Sequence, residues 1–296
     1  MALQFFLGLL EARLRLQGIR RRVFECRDGR RISFLEGGPP DAEKTLLLVH
    51  GLGSSNLNWI RVYKPLARRH RVIALDLPGF GKSPLPGELE FQTLRDHTAS
   101  LIEFLESPHF PRPVVLAGQS MGGWISVKVA LARPEHVEQL VLINSAGIYY
   151  EGIRELRALL TPTTREEVEA LWGRIWYRIP AYYRPFWRES AAHMRTANVH
   201  KFMEKLEPED FVNEDLKRLK VPVSVIWGRA DRLFPADTVD RIVEAVPSTR
   251  VHWLAKTGHV PPIESPKAFA RAMLSILAAG PDERPVPPAQ AHASRT

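Results

Sequence analysis

The chain has 296 residues, of which 45 % are apolar and 25 % charged; this is the composition of a soluble globular protein, long enough for one large α/β domain with an insertion. Its formal charge of +8 raises a nucleic-acid reading, but the arginines are scattered and no stacking motif or basic block accompanies them, so the charge reads as a solvated basic surface. Cys26 is the single cysteine, which excludes an intramolecular disulfide and a cysteine-based metal site and fits a reducing, cytoplasmic compartment.

From the N-terminus, Leu3, Phe6, Leu7, Leu10 and Leu14 recur at helical spacing, Phe5 and Leu9 widen the apolar face, and Arg13, Arg15, Arg20, Arg21 and Arg22 follow. The spacing predicts an amphipathic helix within residues 1–20. Its apolar run is too short to span a bilayer. The charge follows that run and no small-residue cleavage site succeeds it, so a secretory leader is not expected. Packing against the domain is the favoured expectation, and peripheral contact with a membrane surface is the alternative.

Residues 22–25 and 31–35 flank Asp28-Gly29, which predicts an antiparallel hairpin with a two-residue turn. The apolar run Thr45-Leu46-Leu47-Leu48-Val49 reads as a strand covered on both faces. It ends in His50-Gly51-Leu52-Gly53. A helix is expected over 58–69, a buried strand over 72–75, and a compact turn from Asp76 to Ser83, in which Asp76 serves the loop through side-chain hydrogen bonds. A helix over 91–105, a strand over 114–117 and a strand over 137–143 extend the strand–helix–strand pattern into a mostly parallel, doubly covered sheet.

From residue 148 to 219 the pattern changes to short helices interrupted by Pro162, Pro180, Pro185 and Pro208, dense in aromatics and without a buried strand. This predicts a helical cap inserted over the strand ends, where open α/β sheets carry their sites. The parallel pattern resumes with a strand over 221–227, a helix over 237–246, a strand over 250–254 and a helix over 266–278 that opens with Pro266. The core is therefore expected over 21–147 and 220–279, and the Pro- and Ala-rich residues 280–296 as a disordered tail.

The chemistry centres on Gly118-Gln119-Ser120-Met121-Gly122, between a β-branched run and a helix. A strand turning this sharply into a helix strains its corner residue, here Ser120, and Gly118 and Gly122 leave room where Cβ atoms would collide. The Met121 N–H lies at a helix N-terminus, where donors lack intrahelical partners. Leu52, in the glycine-flanked loop after the first buried strand, offers a second backbone donor for an oxyanion, and His50 and Gly51 read as residues that shape that loop. A serine nucleophile needs a base, and the base a carboxylate to orient it. Ser120, Asp231 and His259 occur in that order, each just past a strand; Asp237 is the fallback carboxylate.

Together these motifs, with Asp76-Leu77-Pro78-Gly79-Phe80-Gly81, resemble those of the α/β-hydrolase superfamily over residues 21 to 279. The resemblance implies that Ser120 is the nucleophile, His259 the general base and acid, Asp231 its orienting carboxylate, and Leu52 with Met121 the oxyanion hole, with no cofactor or metal. Serine rather than aspartate at 120 argues against the haloalkane dehalogenase and epoxide hydrolase types. Gly258-His259-Val260-Pro261 is similar to capped esterases and lipases, including monoacylglycerol-lipase-like members. The rival is a meta-cleavage-product C–C hydrolase, which shares the Ser-Met-Gly-Gly stretch but typically has an aromatic residue where Val260 stands. A non-enzymatic binding protein on this fold would be expected to show a broken triad. The expected substrate is a small apolar carboxylic ester with a short to medium acyl chain. Sequence leaves the oligomeric state and the pocket-lining cap residues open.

Overall fold

A computed structural model describes residues 14–235 and 237–279. The amphipathic stretch 1–13 and the tail 280–296 lie outside the described residues. The chain enters the fold through a helical turn closed at Gly18, whose φ of +77° suits a glycine cap. Ile19 N–H donates to Leu14 O and Gly18 N–H to Arg15 O, the paired bonds that satisfy the last helical carbonyls.

Eight strands follow: β1 (Arg20–Glu25), β2 (Arg31–Gly37), β3 (Thr45–Val49), β4 (Arg71–Leu75), β5 (Val114–Gln119), β6 (Val137–Ile143), β7 (Val223–Gly228) and β8 (Arg250–Leu254). They form one sheet in the order β1-β2-β4-β3-β5-β6-β7-β8. The β1/β2 and β2/β4 pairs are antiparallel and the rest parallel. Residues alternate between faces with period two. In β3, Leu46 and Leu48 join the core beneath α1 (Ile60–Ala67) and the C-terminal helix Pro266–Ala278, with Trp59, Tyr63 and Phe269, whereas Leu47 and Val49 join the opposite core with Phe104 and Ile125. That second core lies beneath α2 (Leu94–Leu105), α3 (Met121–Ala132) and, further along, the helix Thr238–Ala245.

Two expected boundaries shift for local reasons. The hairpin closes with a three-residue loop, because Cys26 and Arg30 still pair and Gly29 N–H donates to Cys26 O at 2.9 Å; Gly29 takes φ +83°, the left-handed bulge position of such loops. Helix α2 starts at Leu94 rather than 91 because Thr93 and Asp96 form a reciprocal capping box, satisfying donors that the helix cannot.

Between β6 and β7 the chain forms α4 (Ile153–Leu159), α5 (Arg165–Ile175), α6 (Trp187–Met194) and α7 (Ala197–Glu204), with 3-10 turns between them. After β7 come α8 (Thr238–Ala245), α9 (Pro261–Glu264) and α10 (Pro266–Ala278). Among the described residues no helix is long and apolar enough to cross a membrane. Because β4 and β5 lie on opposite sides of β3, the connections after β3 and β5 depart in opposite directions and leave a crevice at their carboxyl ends.

The β2/β4 edge is tied by Glu36, which pairs with Arg22 and Arg71 at 2.6 Å each and with His109 at 3.3 Å. Burial acts to raise its pKa, but bonds from His109 and Arg71 overcome this and hold it at about 2. A folded pKa below the unfolded value contributes stability that is present above about pH 4.5 and lost as pH falls toward about 2. Glu36→Gln is therefore expected to lower unfolding free energy near neutrality by about 2 kcal/mol. In denaturant titrations the gap from wild type should close on acidification; a gap independent of pH would refute the assignment.

Candidate active site

Ser120 stands between β5 and α3 with φ +55° and ψ −123°, a conformation that an L-residue keeps only when its surroundings hold it. The holding bonds are explicit: Ser120 N–H donates to Ile143 O at 3.0 Å, and its carbonyl accepts from Gly123, Trp124 and Ala146 N–H groups. A Cβ on Gly118 would overlap the backbone of Gly122, and one on Gly122 would overlap the carbonyl oxygens of Val49 and His50. The expected glycine roles thus have specific neighbours. Met121 is the first residue of α3, so its N–H has no intrahelical acceptor.

His259 and Asp231 meet. The Nδ1 of His259 lies 2.9 Å from Asp231 Oδ2, and both side chains are buried. A carboxylate on Nδ1 fixes the proton there in the neutral ring and leaves Nε2 for the cavity. Asp231 Oδ1 accepts from Leu233 N–H at 2.8 Å, and Oδ2 also accepts from Asn144 Nδ2 at 2.6 Å. The fallback, Asp237, is elsewhere: it is exposed and paired with Arg241 at 2.7 Å.

Three residues that sequence reasoning missed hold this arrangement. Asn144 is fully buried at the end of β6 with φ +40°; its Oδ1 accepts from Gly228 N–H at 3.2 Å, so one amide bridges β7 and Asp231. A polar Asn-Ser pair ending an apolar strand was the available signal. Gln119 donates from Nε2 to His259 O at 3.0 Å, tying the Ser120 turn to the histidine loop. Glu264 of α9 accepts from Tyr177 N–H at 2.8 Å and Val260 N–H at 3.2 Å. Burial raises its pKa against those donors.

His50 bonds within its own loop and to the loop after β4. It is wholly buried, and its Nε2 accepts from Leu77 N–H at 3.0 Å, so Nδ1 carries the proton donated to Gly51 O at 2.8 Å. Burial lowers its pKa and keeps the ring neutral. Asp76 likewise serves loops, accepting from Asn56 N–H at 2.6 Å and Lys82 N–H at 3.0 Å.

Ser120, His259, Leu52, Gly51 and Met121 line one cavity of about 240 Å³. Its walls include Leu171, Trp172 and Phe202 of the helices between β6 and β7, together with Leu160, Trp124 and Phe234. Among the described residues, no Asp, Glu, Lys or Arg lines it. Arg174, Arg178, Arg184, Arg188 and Arg195 are all exposed. The cap helices also bond the loops that carry His259 and Leu52: His259 N–H donates to Ile175 O at 2.6 Å, and His193 Nε2 lies 2.7 Å from Gly53 O.

Residues 46–272 match the model of the Alpha/beta hydrolase family. The chain belongs to that family. It is 30 % identical over 267 residues to Lipase 1 of Psychrobacter immobilis, covering 85 % of this chain and 83 % of that one. It is also 29 % identical over 273 residues to the 2-hydroxy-6-oxo-6-(2'-aminophenyl)hexa-2,4-dienoic acid hydrolase of Metapseudomonas resinovorans, covering 88 % of each. Among solved structures, a membrane phospholipase A described as a bacterial virulence factor superposes with a TM-score of 0.79 at 28 % identity, covering 93 % of this chain and 92 % of that one. The fold is accordingly that of the α/β hydrolases, with a mostly parallel sheet and an antiparallel N-terminal hairpin, and the family supports a hydrolase.

The Asn144 amide generates a prediction for this hydrolase. Asn144→Gly keeps the left-handed backbone but removes the donor to Asp231, so it should lower kcat by about tenfold to a hundredfold, the range of a lost bond to a charged group. Steady-state kinetics beside thermal melting checks it: an equal loss of stability and no loss of kcat would make Asn144 purely structural.

Proposed function

We propose that the protein is a serine hydrolase that cleaves small, uncharged carboxylic esters with an apolar acyl part of short to medium length, through an acyl-enzyme. The observation that carries this reading is the cavity around Ser120 and His259, whose lining among the described residues holds no charged carboxylate, ammonium or guanidinium side chain. An apolar wall with a few convergent polar groups suits a hydrocarbon chain and offers no counter-ion to an anion.

In the proposed reaction Ser120 Oγ attacks the ester carbonyl carbon while its proton passes to His259 Nε2. Asp231, held by Asn144 and Leu233, keeps the imidazole oriented and stabilises its cationic form. The carbonyl oxygen becomes an oxyanion, for which the Leu52 and Met121 N–H groups are the proposed donors. The C–O bond then breaks as Nε2 returns the proton to the departing alcohol. Water attacks the acyl-enzyme by the same route, releasing the acid and restoring Ser120.

A second reading, hydrolytic C–C cleavage of a dienoic acid, is favoured by the name of the Metapseudomonas relative. That substrate class carries a carboxylate. The uncharged lining and Val260 beside His259 support the ester instead. The test compares purified protein on para-nitrophenyl butyrate, hexanoate and octanoate with a dienoic ring-fission acid. Ester turnover is expected to dominate and to improve with chain length, by up to about fourfold per buried methylene. Ser120→Ala should lose about 10⁴-fold or more in kcat while retaining its fold. Faster cleavage of the dienoic acid than of every ester, or full activity in Ser120→Ala, would overturn the proposal.

A further inference from the structure

The catalytic cavity ends against Met203, Leu206 and Phe211, and the same three side chains line a second pocket of about 270 Å³. That outer pocket opens at the surface beside Tyr149, which is 46 % exposed, and beside Arg157 and Glu207. A partition one side chain thick therefore separates two spaces of similar size. Its members are not equally free to move. Phe211 is wedged between two rings, stacked on Trp124 at 4.9 Å on the cavity side and edge-on to Tyr149 at 5.3 Å on the outer side. Trp124 is itself fixed, donating from Nε1 to Asp210 O at 2.8 Å. Met203, near the end of α7, is only 8 % exposed. Its unbranched thioether chain has three rotatable bonds and can change rotamer without disturbing the backbone.

We infer that Met203 is a gate, and that the outer pocket is a subsite for the hydrocarbon tail of a long-chain ester whose carbonyl sits at Ser120. This rests on the ester reading above and extends it from short and medium chains to long ones. The chemistry of the passage fixes the ligand class. Met203, Leu206 and Phe211 offer no hydrogen-bonding group stronger than a thioether, so a polar group crossing them would lose water without replacement, whereas methylenes gain by leaving water. The charged rim, Arg157 and Glu207, lies outside the partition.

The experiment uses the full chain and the ratio of kcat/KM for para-nitrophenyl myristate to that for para-nitrophenyl butyrate. Met203→Trp thickens the partition. Glu207→Cys carrying a bulky maleimide plugs the outer pocket from the solvent side, and Cys26, buried and with its thiol pKa pushed up to about 11 by burial, stays unlabelled. Both should lower the ratio by about tenfold or more, since each methylene returned to water costs about fourfold; unlabelled Glu207→Cys should match wild type. Met203→Ala should raise the ratio. A parallel series with a fixed acetyl group and lengthening alcohol chains shows which end of the ester enters the subsite. An unchanged ratio in both Met203→Trp and the labelled protein, for both series, overturns the gate. Absence of all ester turnover would instead refute the ester reading, and the gate is then decided by a fluorescent hexadecanoic acid, whose affinity the plug must weaken by about tenfold for the inference to stand.

Discussion

A methyl group at Gly118 or Gly122 would occupy space already filled by backbone, the first by Gly122 itself and the second by the carbonyls of Val49 and His50. This close approach of three main-chain segments lets α3 start directly beneath the ends of β3 and β5. Interiors are close-packed, so no small adjustment would restore the geometry with larger residues. The constraint puts Ser120 in its positive-φ corner and sets Met121 and Leu52 beside one cavity. It also makes the strain sustainable: four main-chain hydrogen bonds converge on the Ser120 peptide groups, enough to over-determine a conformation that costs about 1–3 kcal/mol.

Around that corner the polar residues form a chain of buried contacts. Asn144 fixes Asp231, Asp231 fixes His259, Gln119 ties His259 back to the Ser120 turn, and Glu264 gathers the backbone of Val260 and Tyr177. Each residue in this series has a partner within it or on a neighbouring backbone, which is what makes such a network rigid rather than costly. Glu264 is the least comfortable member. Burial pushes its pKa up, and its place is explained by the two loops it joins, one from the cap and one bearing His259.

The central residues were legible in sequence because local rules specify them. Two glycines around a serine between an apolar strand and a helix have few other readings, and strand-end positions place Asp231 and His259 on the same sheet edge. The geometry brings those two together and leaves Asp237 exposed at the start of α8, paired with Arg241. Asn144, Gln119 and Glu264 were not legible, because their partners lie 87, 140 and 87 residues away and nothing in local spacing encodes such a meeting. The hairpin loop shows the opposite limit: Asp28-Gly29 announced a turn, but whether two or three residues form it depended on Cys26 and Arg30 continuing to pair. In the cap, helical period separates buried from exposed positions, yet a residue facing a cavity and one facing a packed core have the same period.

The placement of charge links these levels. The chain carries an excess of cations, but Arg174, Arg178, Arg184, Arg188 and Arg195 of the cap all face solvent, so the described wall of the cavity beneath stays uncharged. Helix α5 does this by amphipathicity: Val168, Leu171 and Trp172 are buried while Arg165 pairs with Glu169 at 3.0 Å on the outer side. The same helix ends at Ile175, whose carbonyl receives His259 N–H, and α6 carries the His193 that meets Gly53. The elements that form the apolar wall are therefore bonded to both loops of the proposed machinery. Any displacement of the cap large enough to admit a ligand must strain or release those bonds, which couples occupancy of the cavity to the placement of His259 and of the Leu52 loop.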